Sequence, residues 1–227
     1  MTAKLSPSVQ DYLKALYLEG EDLPDGPSGL VSTAALAHRL ELSAASATNM
    51  LKRLGSLGLV EHVPYRGAAL TAAGREAALE VIRHHRLLET YLSQRLGVPW
   101  ERVHEEAEVL EHVLSEDLEE RISAHLGNPT VDPHGHPIPT RDLQMPSCSE
   151  VTLWEVPDGG KGTVTRVSDE RPEALRYMAQ INIKPGAAVE VTGRGPVDGP
   201  LFVTIGDRTS GATEALSREM AESIWVS

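Results

Sequence analysis

Hydrophobic positions recur with a helical period over most of the first 126 residues, apart from a loop over 20–29 and two short predicted strands within 59–71. Behind Ser6 and Pro7, a pair typical of a helix start, Val9, Leu13 and Leu16 recur at spacings of three and four. The same period predicts four further helices, over 33–40, 43–57, 76–96 and 99–126. We therefore expect this part of the chain to be mainly α.

The pattern changes to a period of two after residue 150. Alternating segments separated by Gly, Pro and Asp turns predict strands over 151–155, 162–167, 188–191, 201–205 and 224–226, with a short helix over 173–179. Five prolines within 127–149 separate the two patterns, and a helix interior does not tolerate them. We therefore expect a small β-barrel behind a proline-rich connector.

Segment 32–71 has the order of a winged helix-turn-helix: a helix, a tight turn, a second helix and then a hairpin. Small and amide side chains face outward at the start of the second helix, where the backbone can approach the major groove and an asparagine can bond adenine. These candidates for base contact are Ser43, Ala45, Ser46 and Asn49. The candidates for phosphate contact are Lys52, Arg53 and Arg66. An ordinary helical hairpin with a solvated face is the alternative interpretation.

The distribution of charge distinguishes the segments. The 227 residues carry 21 basic and 33 acidic side chains, a formal net charge of −12. Residues 1–75 hold seven of each, whereas 76–145 hold six basic against fourteen acidic side chains and seven of the nine histidines. A net acidic chain argues against nonspecific coating of nucleic acid, although a neutral module can still read DNA. The carboxylates and imidazoles of the middle segment are ligands that divalent cations use.

Cysteine usage and hydropathy predict the compartment. The single Cys148 excludes an intrachain disulfide framework and a paired-cysteine zinc or redox site. The N-terminus has no basic patch followed by an apolar run, and no stretch approaches the roughly 18 apolar residues of a membrane span. We expect a cytoplasmic protein without a membrane partner.

Two imidazoles and two carboxylates fall within an arc of about 100° beside the apolar stripe of the predicted helix over 99–126. They are His104, Glu108, Glu111 and His112. The preceding helix adds His85 and Glu89, four residues apart, which can approach His104 if the two helices pack antiparallel. Because burying such charges without a cation is costly, they form a candidate site for a divalent cation. A solvated acidic helix with incidental histidines is the alternative.

These residues lie in strings that resemble a known family. IRHHRLLETYLSQRLGVPWERVHEEAEVLEHVLSEDLEERI, with HLGNPTVDPHGHPIPT behind it, is similar to the metal-binding and dimerisation domain of diphtheria-toxin-repressor-type metalloregulators. DYLKALYLEGE and the winged helix also match, so the likeness covers nearly the whole chain. It implies a winged helix-turn-helix DNA-binding domain over 1–75, a helical metal-binding and dimerisation domain over 76–145, and an SH3-like β-barrel, of the kind called FeoA-like, over 150–227.

The resemblance also implies two metal sites. The primary site would consist of Asp11, Glu108, Glu111 and His112, with the Glu108 carbonyl as a further ligand. The ancillary site would consist of His85, Glu89 and His104, with Glu170 and Glu173 as the nearest ligands from the SH3-like domain.

Three positions of the chain bear on the metal. Iron-type members carry Met where Asp11 stands and Cys where Glu108 stands, and oxygen donors in place of sulfur favour a harder cation. We therefore expect Mn²⁺, with Fe²⁺ as the second candidate and other divalent transition metals binding in vitro. Manganese-type members usually have an acidic residue where Lys14 stands, so the likeness does not extend to a binuclear site of their kind.

The function implied is that of a repressor rather than an enzyme. A homodimer would bind a palindromic operator in double-stranded DNA when the metal is bound, and would control metal-transport genes without any small-molecule substrate. A metallohydrolase using the His/Glu cluster is one alternative, although the chain contains no GxSxG, P-loop or HExxH motif. A metal-buffering protein that does not bind DNA is the other.

Overall fold

The computed structural model describes residues 5–21, 23, 26–197, 199–206 and 212–227. Its helices are α1 Pro7–Glu21, α2 Thr33–Arg39, α3 Ala44–Ser56, α4 Ala72–Leu96, α5 Val103–Leu110, α6 Glu116–His125, α7 Pro172–Gln180 and α8 Arg218–Glu222. Its strands are β1 Val60–Val63, β2 Gly67–Leu70, β3 Val151–Thr152, β4 Lys161–Val167, β5 Ala188–Arg194, β6 Leu201–Ile205, β7 Ala212–Leu216 and β8 Ile224–Val226.

The chain divides into two compact units. The first unit comprises Met1–His85, Val109–Glu116 and Pro139–Met145. The second unit comprises Arg86–Glu108, Asp117–Ile138 and Pro146–Ser227. The division into three domains implied by the resemblance stays a prediction.

The helix-turn-helix of the first unit is built from local signals. Ser32 caps α2, where its Oγ accepts a hydrogen bond from the Ala35 amide at 3.1 Å. Ser43 caps α3 in the same way, accepting from the Ser46 amide at 3.1 Å. The apolar stripes of α1, α2 and α3 share one core, whose fully buried members include Leu13, Leu16, Leu36, Leu51 and Leu54. The predicted order of helix, turn, helix and hairpin is confirmed.

The wing is held to the chain that precedes α2. Strands β1 and β2 form an antiparallel hairpin, and Val31 exchanges two backbone hydrogen bonds of 2.9 Å with Ala68 of β2. Gly67 has φ of 131°, and a Cβ at this position would lie 2.1 Å from the Val31 carbonyl oxygen. Glycine is therefore required where the hairpin meets Val31.

The second unit contains a six-stranded antiparallel sheet in the order β3-β8-β4-β5-β6-β7. Inward-facing residues of the sheet, such as Val167, Val191 and Ile224, form an aliphatic core with Leu153 and with Leu175 of α7, and all five are fully buried. Each predicted segment contains a strand, but of the strand predicted over 151–155 only Val151–Thr152 is extended, and Leu153–Glu155 forms a 3-10 helix. Strand β7 was not predicted. Its sequence ATEAL has no run of β-branched residues, and its pairing with β6 is a tertiary contact.

The prediction of a single helix over 99–126 is wrong. Helix α5 ends at Leu110 and α6 begins at Glu116, so Glu111 and His112 lie in the turn between them. The one-helix arc therefore does not describe these two residues. The Glu111 carbonyl oxygen lies 3.3 Å from Nδ1 of His84, a long-range side-chain contact that hydrophobic periodicity does not reveal.

Candidate metal centre

The first unit brings together three of the predicted primary ligands: Asp11 on α1, with Glu111 and His112 in the turn after α5. His112 Nε2 lies 3.0 Å from Asp11 Oδ1 and 3.8 Å from Glu111 Oε1. Each residue offers a donor atom within 4.8 Å of the other two. Gln10 Oε1 lies 2.9 Å from His112 Nδ1, which fixes the orientation of the ring. We call this set the Asp11–Glu111–His112 cluster.

The Glu111 carboxylate is completely buried and contacts one ammonium group and one imidazole. Lys14 Nζ donates to both carboxylate oxygens, each at 2.9 Å, and His85 Nδ1 lies 2.5 Å from Oε2. A buried carboxylate requires such compensation, because its desolvation is otherwise costly. His85, predicted for the ancillary site, therefore has Glu111 as its partner within the first unit.

The predicted ancillary residues Glu89 and His104 meet in the second unit. His104 Nδ1 lies 3.4 Å from Glu89 Oε1 and 3.6 Å from Asp169 Oδ2. Glu108, predicted for the primary site, belongs to this unit as well and lies 3.6 Å from His104 Nε2. We call Glu89, His104 and Asp169 the Glu89–His104–Asp169 cluster.

Asp169 is an acidic neighbour of His104 from the C-terminal part, where the resemblance implied Glu170 and Glu173. Asp169 lies between the end of β4 and the start of α7, and it also lies 3.8 Å from His136 Nδ1. Glu170, two residues before α7, and Glu173, in its first turn, are both exposed. The carboxylate of Asp169, in contrast, lies beside His104 and His136.

Two histidines of the connector complete this region, and sequence reasoning did not propose them as ligands. Asp132 Oδ1 accepts hydrogen bonds from the backbone amides of His134 at 2.8 Å and His136 at 3.0 Å, which folds the loop into a tight turn. His134 Nδ1 lies 3.8 Å from Glu89 Oε2, and His134 Nε2 lies 2.8 Å from the Trp100 carbonyl oxygen. The available signal was two histidines separated by one residue and following an aspartate closely, in the string DPHGH.

Several buried polar atoms of this loop have no hydrogen-bond partner among the described residues. They are Asp132 Oδ2, His134 Nδ1 and His136 Nδ1. Asp132 Oδ2 and His136 Nδ1 face each other at 3.3 Å. Unsatisfied imidazole and carboxylate atoms pointing into one buried region are a donor set that fits a cation.

The electrostatics of the second unit follow from this crowding. Burial lowers the pKa of His104, but hydrogen bonds to Asp169 and Glu89 and their negative charges outweigh burial and raise it to about 10. Burial likewise lowers the pKa of His134, while Glu89 raises it to about 9. Burial raises the pKa of Asp169, and the neighbouring His136 and His104 hold it well below its usual range. The carboxylates thus attract positive charge, which protons or a metal ion can supply.

The predicted DNA-contacting side chains all lie on the surface of the first unit. The exposed residues are Ser43, Ala45, Ser46, Asn49, Lys52, Arg53 and Arg66. Ser43 also has a structural role, because its hydroxyl caps α3 and lies 2.9 Å from the Ser46 hydroxyl. Asn49 and Lys52 lie further along α3, one turn apart.

None of the helices that the structure describes is both long and apolar enough to cross a lipid bilayer.

Three family models match successive parts of the chain. Residues 4–68 match the iron dependent repressor N-terminal DNA binding domain, and residues 71–140 match the iron dependent repressor metal binding and dimerisation domain. Residues 151–227 match the FeoA domain. These matches confirm the predicted fold class of helical DNA-binding and dimerisation parts followed by a small β domain.

Relatives and solved structures agree with these matches. The iron-dependent repressor IdeR of Mycobacterium leprae (strain TN) is 38% identical over 197 residues, which cover 81% of this chain and 83% of the relative. A manganese-dependent transcriptional repressor in complex with manganese is 44% identical with a TM-score of 0.88, over 96% of this chain and 98% of that one. A crystal structure of ScaR with bound Cd²⁺ is 28% identical with a TM-score of 0.81, over the same shares of the two chains.

Proposed function

Because the chain belongs to the diphtheria-toxin-repressor family of metal-dependent transcriptional repressors, we propose that it is a manganese-responsive repressor of metal-transport genes. Members of this family are repressors and not enzymes, so membership favours DNA regulation over the metallohydrolase and the metal buffer considered above. Family membership is established, whereas the physiological metal, the operator and the regulated genes belong to the proposal.

The observation that carries the proposal is the Asp11–Glu111–His112 cluster. Its donors are two carboxylates and one imidazole, and oxygen-rich sets of this kind suit manganese better than sulfur-containing sets do. Glu108 remains a predicted fourth ligand of this site. The manganese complex of the repressor that is 44% identical to this chain supports the choice of metal.

The position of Asp11 explains how a cation can act on DNA binding. Asp11 lies on α1, which packs in the same core as α2 and the predicted recognition helix α3. A cation held by Asp11 and by the Glu111–His112 turn favours one arrangement of α1, and with it one arrangement of the helix-turn-helix. By linkage, DNA must then tighten metal binding by the same factor, typically about 5- to 150-fold.

We propose a second cation site at the Glu89–His104–Asp169 cluster. The unsatisfied Nδ1 atoms of His134 and His136 lie next to its carboxylates and supply further donors. Bound there, a divalent cation would supply positive charge beside the same carboxylates whose hydrogen bonds and negative charge raise the pKa of His104 and His134.

An exposed apolar surface in the first unit fits a second copy of the chain. Val109 and Val113 are each 71% exposed, and Leu110 between them is 38% exposed. Apolar side chains clustered in this way are typical of an interface, and residues 71–140 match a dimerisation domain. A two-fold symmetric dimer predicts a palindromic operator with two half-sites.

The test begins with an operator selected from random double-stranded DNA in the presence of Mn²⁺. Operator affinity at fixed ionic strength should rise with micromolar Mn²⁺, and His112→Ala or Asp11→Ala should abolish that rise while the dimer persists. Glu105→Ala, which removes an exposed carboxylate of α5, is the matched control and should respond like the unaltered protein. An unchanged manganese response in both cluster variants would refute the site.

Metal preference provides a separate test of the donor chemistry. Combining Asp11→Met with Glu108→Cys introduces sulfur donors and should shift activation of operator binding from Mn²⁺ towards Fe²⁺. An unaltered metal profile in the double variant would show that donor softness does not decide the choice.

A further inference from the structure

Lys14 is a buried lysine on α1. The proposed function does not explain why a charged side chain stands at this position. It is only 9% exposed, and its neighbours along the helix include Leu13 and Leu16, which are fully buried. Lysine is almost never buried unless it is paired. Its ammonium donates to both oxygens of Glu111 at 2.9 Å and lies 3.4 Å from His85 Nδ1.

The partner of Lys14 is the same carboxylate that the Asp11–Glu111–His112 cluster offers to a cation. Without metal, the ammonium supplies the counter-charge that makes a fully buried carboxylate tolerable. With metal, two cations would share one carboxylate in a region of low dielectric, where like charges repel strongly. The ammonium and the metal ion are therefore electrostatic competitors.

We propose that Lys14 is an internal competitor that sets the manganese concentration at which the cluster fills. Its ammonium holds Glu111 in the metal-free protein, and metal binding has to weaken or displace this pair. This inference rests on the proposed function, since it assumes that the cluster binds the cation. It goes beyond that function by assigning the sensitivity of the response to a residue that is not a ligand.

The proposal predicts effects of opposite sign from one substitution. Lys14→Met keeps most of the aliphatic stem and removes the charge. The metal-free protein should become less stable, because Glu111 loses its counter-ion. The manganese affinity of the cluster should rise about tenfold or more, because a charge within about 4–6 Å of a carboxylate typically shifts its proton affinity by about one to three log units, and a cation competing for Glu111 should feel the Lys14 charge on a similar scale. A purely structural role for Lys14 predicts that stability and affinity fall together.

The experiment uses the full-length protein in two measurements. Calorimetric titration with Mn²⁺ follows the component of binding that His112→Ala removes, and urea unfolding in the presence of a chelator measures the stability of the metal-free state. Lys14→Arg retains the charge and should resemble the unaltered protein. Lys52→Met, which removes an exposed lysine of α3, should change neither quantity. If Lys14→Met does not fold, Lys14→Gln provides the same test with a neutral donor.

Each outcome decides the question. Tighter manganese binding with lower metal-free stability in Lys14→Met supports the proposal. Equal or weaker manganese binding in the folded variant overturns it, while the metal site itself stands as long as binding still depends on His112. If His112→Ala removes no binding component in the unaltered protein, the proposed site fails together with the inference built on it.

Discussion

Replacing Asp132 tests whether backbone hydrogen bonds to one side chain hold the histidine loop of the second unit. The Asp132 side chain is completely buried, and its Oδ1 accepts from two backbone amides at 2.8 and 3.0 Å. Asp132→Ala leaves both amides without this acceptor, at about 1–3 kcal/mol each. We therefore expect the free energy of unfolding to fall by about 2–6 kcal/mol.

Asp132→Asn is the matched variant. Its amide oxygen can still accept both backbone bonds, whereas the negative charge near Arg86 and His136, at 3.9 and 3.3 Å, is lost. Because charge-assisted hydrogen bonds are roughly twice as strong as neutral ones, a smaller loss of about 1–2 kcal/mol is expected.

Urea unfolding followed by tryptophan fluorescence measures this difference directly. All three tryptophans of the chain, Trp100, Trp154 and Trp225, belong to the second unit, so their emission monitors the part that contains the loop. The measurement requires a chelator, so that metal binding does not contribute to stability. A loss below about 0.5 kcal/mol in Asp132→Ala, or equal losses in the two variants, would show that the backbone bonds do not hold the loop.

Further predictions concern the DNA-binding part of the first unit. Asn49→Ala should weaken specific operator binding by about 1–3 kcal/mol and nonspecific binding much less, as measured by mobility shift with operator and scrambled DNA; equal losses would make it a phosphate contact. Lys52→Ala should weaken binding to both DNAs and reduce the slope of log affinity against log salt by about 0.9, whereas an unchanged slope would remove it from the phosphate contacts. Gly67→Ala should lower stability by more than about 1 kcal/mol in thermal unfolding, because its Cβ would lie 2.1 Å from the Val31 carbonyl oxygen. The control Gly55→Ala, whose Cβ meets nothing closer than 3.8 Å on α3, should not destabilise the protein, and equal losses in the two glycine variants would contradict the steric argument.

The sequence alone was enough to predict the helices whose ends are fixed by contacts between near neighbours in the chain. Ser32 and Ser43 cap α2 and α3 through side-chain bonds to amides only three residues away. A helix start of this kind is visible in sequence because the residues that make it are neighbours. The winged helix-turn-helix was therefore predictable in outline.

Features that depend on distant contacts were predicted wrongly or not at all. The turn at Glu111 and His112 interrupts a helical period that continues through it, and the contacts of Glu111 with Lys14 and His84 join residues 97 and 27 positions apart. The segment that forms β7 is extended because it pairs with β6. Hydrophobic periodicity carries no information about such pairings.

The sequence by itself determined which donor atoms this protein can offer to a metal, because an aspartate at position 11 and a glutamate at 108 exclude sulfur ligands there. The resemblance already grouped Asp11 with Glu111 and His112, and the structure brings these three together. Only the tertiary structure placed Asp169 beside His104 and the ammonium of Lys14 on the carboxylate of Glu111. The physical reason is that donor chemistry belongs to each side chain alone, whereas proximity and burial arise from the packing of segments far apart along the chain.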